Sequence, residues 1–337
     1  MYGILPTLRR GLGGMELVKK MLEIACLHEG NNFQRGYVYH AVESDEACRQ
    51  VLMSLDEGPG HIFKDMLQLL QPEAAVSVLR VMEQYDVILS HKIRCYKGKA
   101  EESADAVKKH ELKANIKEDG ESLLRSLMVT LESYRPLFRK DVVCAAHANQ
   151  RCQMMPDADS VLGQSGGGLR IFMAGTSCQD WSSMGCMLSL AGKSVLPFAI
   201  ELQLVKHELP HVFFHECTRN FNVSILQENL PEYDIHSCVL RPADHGFPIH
   251  RPRRYTVCVR KDWQLTADLK QMACLRRAPA FDGGKLFCAP EPLVQYSDQQ
   301  IRLQKRRLGN GNFYDLLPAA RKARCAVVRG SIYSRLP

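Results

Sequence analysis

Short apolar runs of strand length alternate along this chain with stretches whose apolar positions recur at helical spacing. Leu17, Met21, Ile24 and Ala25 recur in this way and predict a helix over Met15–Cys26, directly after a glycine cluster. Tyr37–Val42 predicts a strand ending at Glu43, Asp45–Leu55 the helix after it, and His61–Lys64 a short strand with Asp65 at its end. A proline in the first turn opens a further predicted helix, Pro72–Tyr85. Strand patterns return at Leu169–Ala174, Val212–His215, Ser237–Leu240 and Tyr255–Arg260, with a helical stretch from about Gly185 to His207 between the first two. Strand–helix–strand alternation of this kind predicts an α/β fold with a mostly parallel sheet and helices on both faces.

The stretch Lys97–Gly168 has a different character. It is rich in Lys, Glu, Asp and Ala, predicts a helix at Glu121–Tyr134 and closes on the glycine run Gly163–Gly168. It reads as a charged, flexible insertion between two parts of one sheet. No internal repeat is present.

Composition narrows the class. With 45% hydrophobic and 24% charged residues over 337 positions, the chain is expected to bury a core, not to be disordered. The longest apolar stretch, Ser194–Val205, contains a proline and a glutamate and is too short for a bilayer. Arg9, Arg10 and neighbouring glycines break the apolar run that a signal peptide requires. The 13 cysteines are odd in number and irregularly spaced, which points to a reducing intracellular compartment instead of a secreted disulfide scaffold. Charge is uneven: residues 241–337 hold 19 Lys and Arg against 7 Asp and Glu, an excess larger than the whole chain's +7. A basic C-terminal third suits a polyanionic partner such as nucleic acid, although a solvated basic surface has the same composition.

Candidate chemistry concentrates in Gly175-Thr-Ser-Cys-Gln-Asp-Trp-Ser182, directly after a predicted strand. Open α/β sheets place their sites beyond the carboxyl ends of parallel strands. A thiol there, near backbone amides and the next helix start, is biased towards the thiolate, so Cys178 is a candidate nucleophile. Separately, Cys144-x-x-His147-x4-Cys152 could supply three ligands of a tetrahedral zinc site, with Cys95 a candidate fourth. Three ligands without a clear fourth do not define a metal site, and no metal is assigned from the sequence.

Around Cys178 the chain resembles the cytosine-5 DNA methyltransferase family, whose catalytic loop reads Gly-x-Pro-Cys-Gln-x-Phe/Trp-Ser. Gly175, Cys178, Gln179, Trp181 and Ser182 stand in register with it. Two further motifs follow in family order, Pro210-His-Val-Phe-Phe-His-Glu216 and Gly246-Phe-Pro-Ile-His-Arg251-Pro-Arg253. Near the N-terminus, Gly11-Leu-Gly13-Gly14 resembles the glycine turn beneath S-adenosylmethionine. Glu43 stands where the family binds the ribose hydroxyls, and Asp65 where it binds the adenine amino group.

The resemblance implies a Rossmann-like class I methyltransferase fold with a small basic C-terminal region. It divides the chain into a cofactor-binding half (1–96), the insertion (97–168), a catalytic half (169–262) and a reduced recognition region (263–337). The implied activity is transfer of a methyl group from S-adenosyl-L-methionine to C5 of cytosine in double-stranded DNA. In this chemistry Cys178 adds to C6 of a flipped base, Glu216 serves N3, and Arg251 and Arg253 stabilise the charged ring. DNA methylation of this kind implies a nuclear protein in a eukaryote and a cytoplasmic one otherwise. Departures from the pattern are Ser177 for proline, Cys217-Thr218 after the glutamate, Ile249 for glutamine, and Arg9-Arg10 before the glycines. The family's final motif is not found, so a partner protein could supply target recognition. Two alternatives stay open: a catalytically silent relative that binds nucleic acid or cofactor, and the same chemistry on transfer RNA.

Overall fold

A computed structural model describes residues 7–8, 38–56, 58–99, 106–155, 169–175, 177, 179–182, 187–245 and 251–265. The chain divides into two units, Met1–Ser237 with Tyr255–Leu265, and Cys238–Arg254 with Thr266–Pro337. The described part of the second unit is a short stretch of strand, the 3-10 turn Pro242–Asp244 and the residues 251–254.

The first unit is built on a seven-stranded sheet, five strands of which pair in parallel. Strands β1 (Thr7–Leu8), β2 (His40–Val42) and β3 (His61–Phe63) are followed by an antiparallel hairpin, β4 (Asp141–Val143) and β5 (Arg151–Gln153). Then come β6 (Ile171–Gly175), β7 (Val212–Thr218), β8 (Tyr233–Leu240) and β9 (Arg253–Arg260), the last two extending into the second unit. The sheet order is β3-β2-β1-β6-β7-β9-β8, and β3 through β7 in that order pair in parallel. From β1 the chain steps outward one way through β2 and β3. It later resumes on the other side of β1 with β6 and β7, so the order reverses between β1 and β6.

Parallel strands covered on both faces are apolar throughout instead of alternating. Strand β2 is buried at all three positions, and Ile171, Phe172 and Ala174 of β6 are buried with it. The strand Thr7–Leu8 was not legible in the sequence, because two residues cannot display a period. Helices α1 (Glu46–Met53), α2 (Pro72–Lys99), α3 (Ala106–Glu132), α4 (Val195–Glu208) and α5 (Ser224–Asn229) complete the described elements. Helix α4 is apolar nearly all round, as a helix enclosed by the core must be. Its buried Gln203 donates to Glu132 Oε1 of α3 at 3.0 Å.

Helices α2 and α3 form an antiparallel pair, tied by Ser77–Tyr134 (2.6 Å), Tyr85–Ser122 (2.9 Å) and Lys92–Asp119 (2.5 Å). Both run well beyond the helices that the sequence predicts at Pro72–Tyr85 and Glu121–Tyr134. The reason is that charged residues cover the outer face while Ile116, Leu123, Leu127 and Leu131 make a buried seam. The stretch after Lys97 thus contributes to the core as well as to the surface. Gly120 in α3 is required by contact: a Cβ there would lie 2.6 Å from the backbone nitrogen of Ala191. Among the described residues no helix is long and apolar enough to cross a membrane.

His40 in β2 sits in this core with its ring 5.6 Å from that of Phe63, and neither ring nitrogen has a hydrogen-bond partner. Burial lowers its pKa from 6.5 to about 4, against an opposing pull from Glu208. The folded value lies below the unfolded one, so the unfolded chain takes up the proton first as pH falls. Stability present above pH 6.5 is therefore expected to drop towards pH 4, by on the order of 3 kcal/mol from this group. Denaturant titrations across that window should show a shallower fall in His40→Leu, by about 1.4 kcal/mol per pH unit. Equal slopes in the two proteins would contradict the assignment.

Candidate active site

The registers place several sequence-selected residues along one edge. Leu8 pairs with Val42 and with Ala174, Val42 with Phe63, and Gly175 with Glu216. The carboxyl ends of β1, β2, β3 and β6 are thereby level, and the edge beside the order reversal is where open α/β sheets bind ligands. Glu43 lies one residue past β2, Asp65 two past β3, and the segment holding Cys178 follows β6.

Glu43 is 3% exposed, and its Oε1 accepts from the Asp45 amide at 2.8 Å. Its own amide donates to Phe63 O at 3.0 Å, which holds the end of β2 against β3. Arg49 Nη1 donates to the Glu43 and Ser44 carbonyls at 2.9 and 2.7 Å. A carboxylate fixed beyond a central strand suits hydrogen bonds from ribose hydroxyls. Asp65 has a capping duty: its Oδ1 accepts from the Leu67 amide at 2.9 Å and starts the 3-10 turn Met66–Leu69.

Successive side chains of β7 point to opposite faces, which separates two neighbours chemically. His215 is turned into the core, 4.5 Å from the Phe221 ring, with its Nε2 3.9 Å from Glu201 Oε1. Burial lowers its pKa to about 3, so it is a neutral core histidine at physiological pH. Glu216, on the opposite face, is half-buried at the register position of Gly175.

The loop after β6 is held at both flanks of the described turn. The Asp180 carboxylate accepts from the Ser194 amide (3.0 Å) and hydroxyl (2.5 Å) at the start of α4, while Asp180 O accepts from the Ser189 amide at 2.7 Å. Trp181 is buried with its ring 4.8 Å from that of Phe221. Its carbonyl accepts from Thr218 Oγ1 at 3.0 Å and from Asn220 Nδ2 at 3.3 Å. Thr218, a departure from the family pattern, thus ties this loop to the end of the strand that carries Glu216. Sequence reasoning overlooked Asp180, Thr218 and Asn220, since their partners are distant along the chain.

Cys178, Gly11, Gly13 and Gly14 lie outside the described residues. Arg251 and Arg253 belong to the second unit, where Arg251 is exposed and Arg253 Nη1 donates to Pro252 O at 3.0 Å. For the candidate metal ligands, Cys144, His147 and Cys152 do converge, and the residue that joins them is His61, not Cys95. Cys95 lies on α2, its Sγ 4.0 Å from His91 Nε2.

No family model matches the chain, and no curated protein matches it. Among solved structures it is similar to a prophage-encoded protein of E. coli assigned as a DNA modification methyltransferase, at 14% identity and a TM-score of 0.42. It is also similar to the Dnmt2 methyltransferase of S. pombe (9%, 0.41) and to a DNMT2 mutant of Spodoptera frugiperda (12%, 0.38). These alignments cover 86%, 82% and 86% of this chain but only 55%, 55% and 60% of the other chains. The chain spans little more than half the length of these proteins.

The Asp180 clamp has a direct test. A Cβ on Gly192 would fall on the Asp180 carboxylate, so Gly192→Ala must displace it from Ser194. The expected loss in chemical denaturation is about 1–3 kcal/mol. In Asp180→Ala the same glycine change should cost at least about 1 kcal/mol less. Additive losses would mean that the two residues do not meet.

Proposed function

We propose that this protein is a Rossmann-like class I methyltransferase that methylates C5 of cytosine in double-stranded DNA, using S-adenosyl-L-methionine. The observation carrying this reading is the register that levels Glu43, Asp65, Gly175 and Glu216 along the carboxyl edge, beside the reversal in strand order. The donor set suits the cofactor: the buried Glu43 for the ribose hydroxyls, Asp65 for the adenine amino group, and Gly11, Gly13 and Gly14 for close backbone approach. S-adenosylmethionine, when bound, supplies an electrophilic methyl group.

The chain's own residues then have definite tasks. Cys178 is the nucleophile: its thiolate adds to C6 of the cytosine, opening the C5–C6 double bond and making C5 nucleophilic. Glu216 holds a proton at N3 while negative charge builds on the ring. Arg251 and Arg253 stabilise that charge electrostatically. After methylation a water molecule takes the C5 proton, the C5–C6 double bond reforms and Cys178 is released as thiolate. The base must be everted to be reached, at a cost of roughly a few kcal/mol. The excess of Lys and Arg in residues 241–337 provides phosphate contacts that offset it.

Incubation with duplex DNA containing 5-fluorocytosine and S-adenosylmethionine should trap a covalent adduct, because fluorine at C5 blocks release. The adduct should vanish in Cys178→Ser. A folded wild-type chain that forms none would refute the proposal, and transfer RNA in place of duplex DNA tests the other substrate directly. Glu216→Gln should slow methyl transfer by about 10²–10⁴-fold while leaving the denaturation midpoint nearly unchanged. A rate within a factor of two of wild type would remove Glu216 from the chemistry.

A further inference from the structure

The hairpin β4–β5 and the edge strand β3 bring together four side chains that the methyl-transfer reading does not use. His61 opens β3, Cys144 directly follows β4, His147 lies in the turn and Cys152 is in β5. Cys144 Sγ lies 3.3 Å from His147 Nδ1 and 3.9 Å from His61 Nδ1, and Cys152 Sγ lies 3.3 Å from the same His147 nitrogen. All four ligand atoms fall within 4.8 Å of one another.

We propose that these residues form a closed Cys2His2 zinc site that staples the hairpin to the edge of the sheet. Zinc bonds of about 2.3 Å to sulfur and 2.0–2.1 Å to nitrogen give tetrahedral edges of about 3.4–3.8 Å. Three of the six separations, 3.3 to 3.9 Å, are close to those edges, and all lie within 4.8 Å before any ion has drawn the ligands in. Two thiolates and two neutral imidazoles cancel the charge of a divalent cation, which a half-buried site requires. Tetrahedral sulfur–nitrogen coordination selects zinc over hard cations such as magnesium or calcium. Four protein ligands leave no open position, so the site is structural and not hydrolytic.

The surroundings support the ligand arrangement. The Ile62 amide donates to Cys144 Sγ at 3.3 Å, an outer contact of the kind that orients and stabilises a metal-bound thiolate. Ala148 and Asn149 adopt left-handed φ values of 51° and 64°, and Asn149 N donates to Cys144 O at 2.9 Å. This tight turn brings His147 back between the two sulfurs. Ala145 N donates to Ile62 O at 2.7 Å, and Tyr39 Oη to Gln153 O at 3.2 Å, so the hairpin already covers the exposed side of β3. An ion bridging His61 to the hairpin would lock that cover and protect an edge strand from pairing with other chains.

Elemental analysis of the full chain, purified under reducing conditions, should find one zinc ion per chain. The double variant Cys144→Ser, Cys152→Ser should hold almost none, and Cys95→Ser should keep the full amount. Should the double variant not fold, cobalt added to the chelator-stripped wild-type chain gives an independent reading. The expected result is an intense visible d–d spectrum with a thiolate charge-transfer band, saturating at one equivalent. A folded wild-type chain with neither zinc nor a cobalt spectrum overturns the proposal. So does zinc retained in the folded double variant, or a Cys144–Cys152 disulfide in the reduced preparation.

Discussion

Parallel pairing on either side of β1 is the constraint from which the rest of the first unit follows. Two residues, Thr7 and Leu8, hydrogen-bond to β2 on one side and β6 on the other. That seam makes the strand order reverse, and in open α/β sheets such a reversal marks where ligands bind. It also levels the strand ends, so residues selected from distant parts of the chain share one edge. A shift of one residue in β7 would turn Glu216 into the core and His215 out. His215, neutral and packed on Phe221, is fitted to the inner face only.

The same edge shows how tertiary contacts hold the described residues of the segment after β6. Asp180 bonds to the start of α4, and the Trp181 carbonyl accepts from Thr218 and Asn220. Both anchors use side chains that sequence comparison would count as neutral or as departures. Ser177 in place of proline removes local stiffness from the turn, while the Asp180 and Trp181 anchors restrain the residues that follow it. The stiffness resides in tertiary contacts instead of in the backbone of the loop itself.

Much of the sheet was legible because its strands are short apolar runs ending in chemically distinctive residues. The patterns at 37–42, 61–64, 169–174, 212–215, 237–240 and 255–260 each overlap an observed strand, with ends displaced by a few residues. Strand β1 was hidden by its length, and the hairpin β4–β5 by three-residue strands within a charged stretch. Helix α3 was only half visible, since Lys and Glu on its outer face masked the seam of Ile116 and Leu123. His61 could not be recognised as a companion of Cys144, from which it is separated by 83 positions. Spacing reveals ligands within a turn, but it is blind to those that a sheet brings together. The contacts of Asp180 and Thr218 were opaque for the same reason.

The central claim is that the levelled edge beside β1 is a nucleoside-binding site with Glu43 as its fixed acceptor. Calorimetric titration of the folded chain with S-adenosylhomocysteine tests it most directly. The account predicts saturable binding at one molecule per chain. Glu43→Gln, with an unchanged denaturation midpoint, should weaken that binding by about tenfold or more, the equivalent of one lost charge-assisted hydrogen bond. No heat of binding to a folded chain, or equal affinity in the variant, would contradict it.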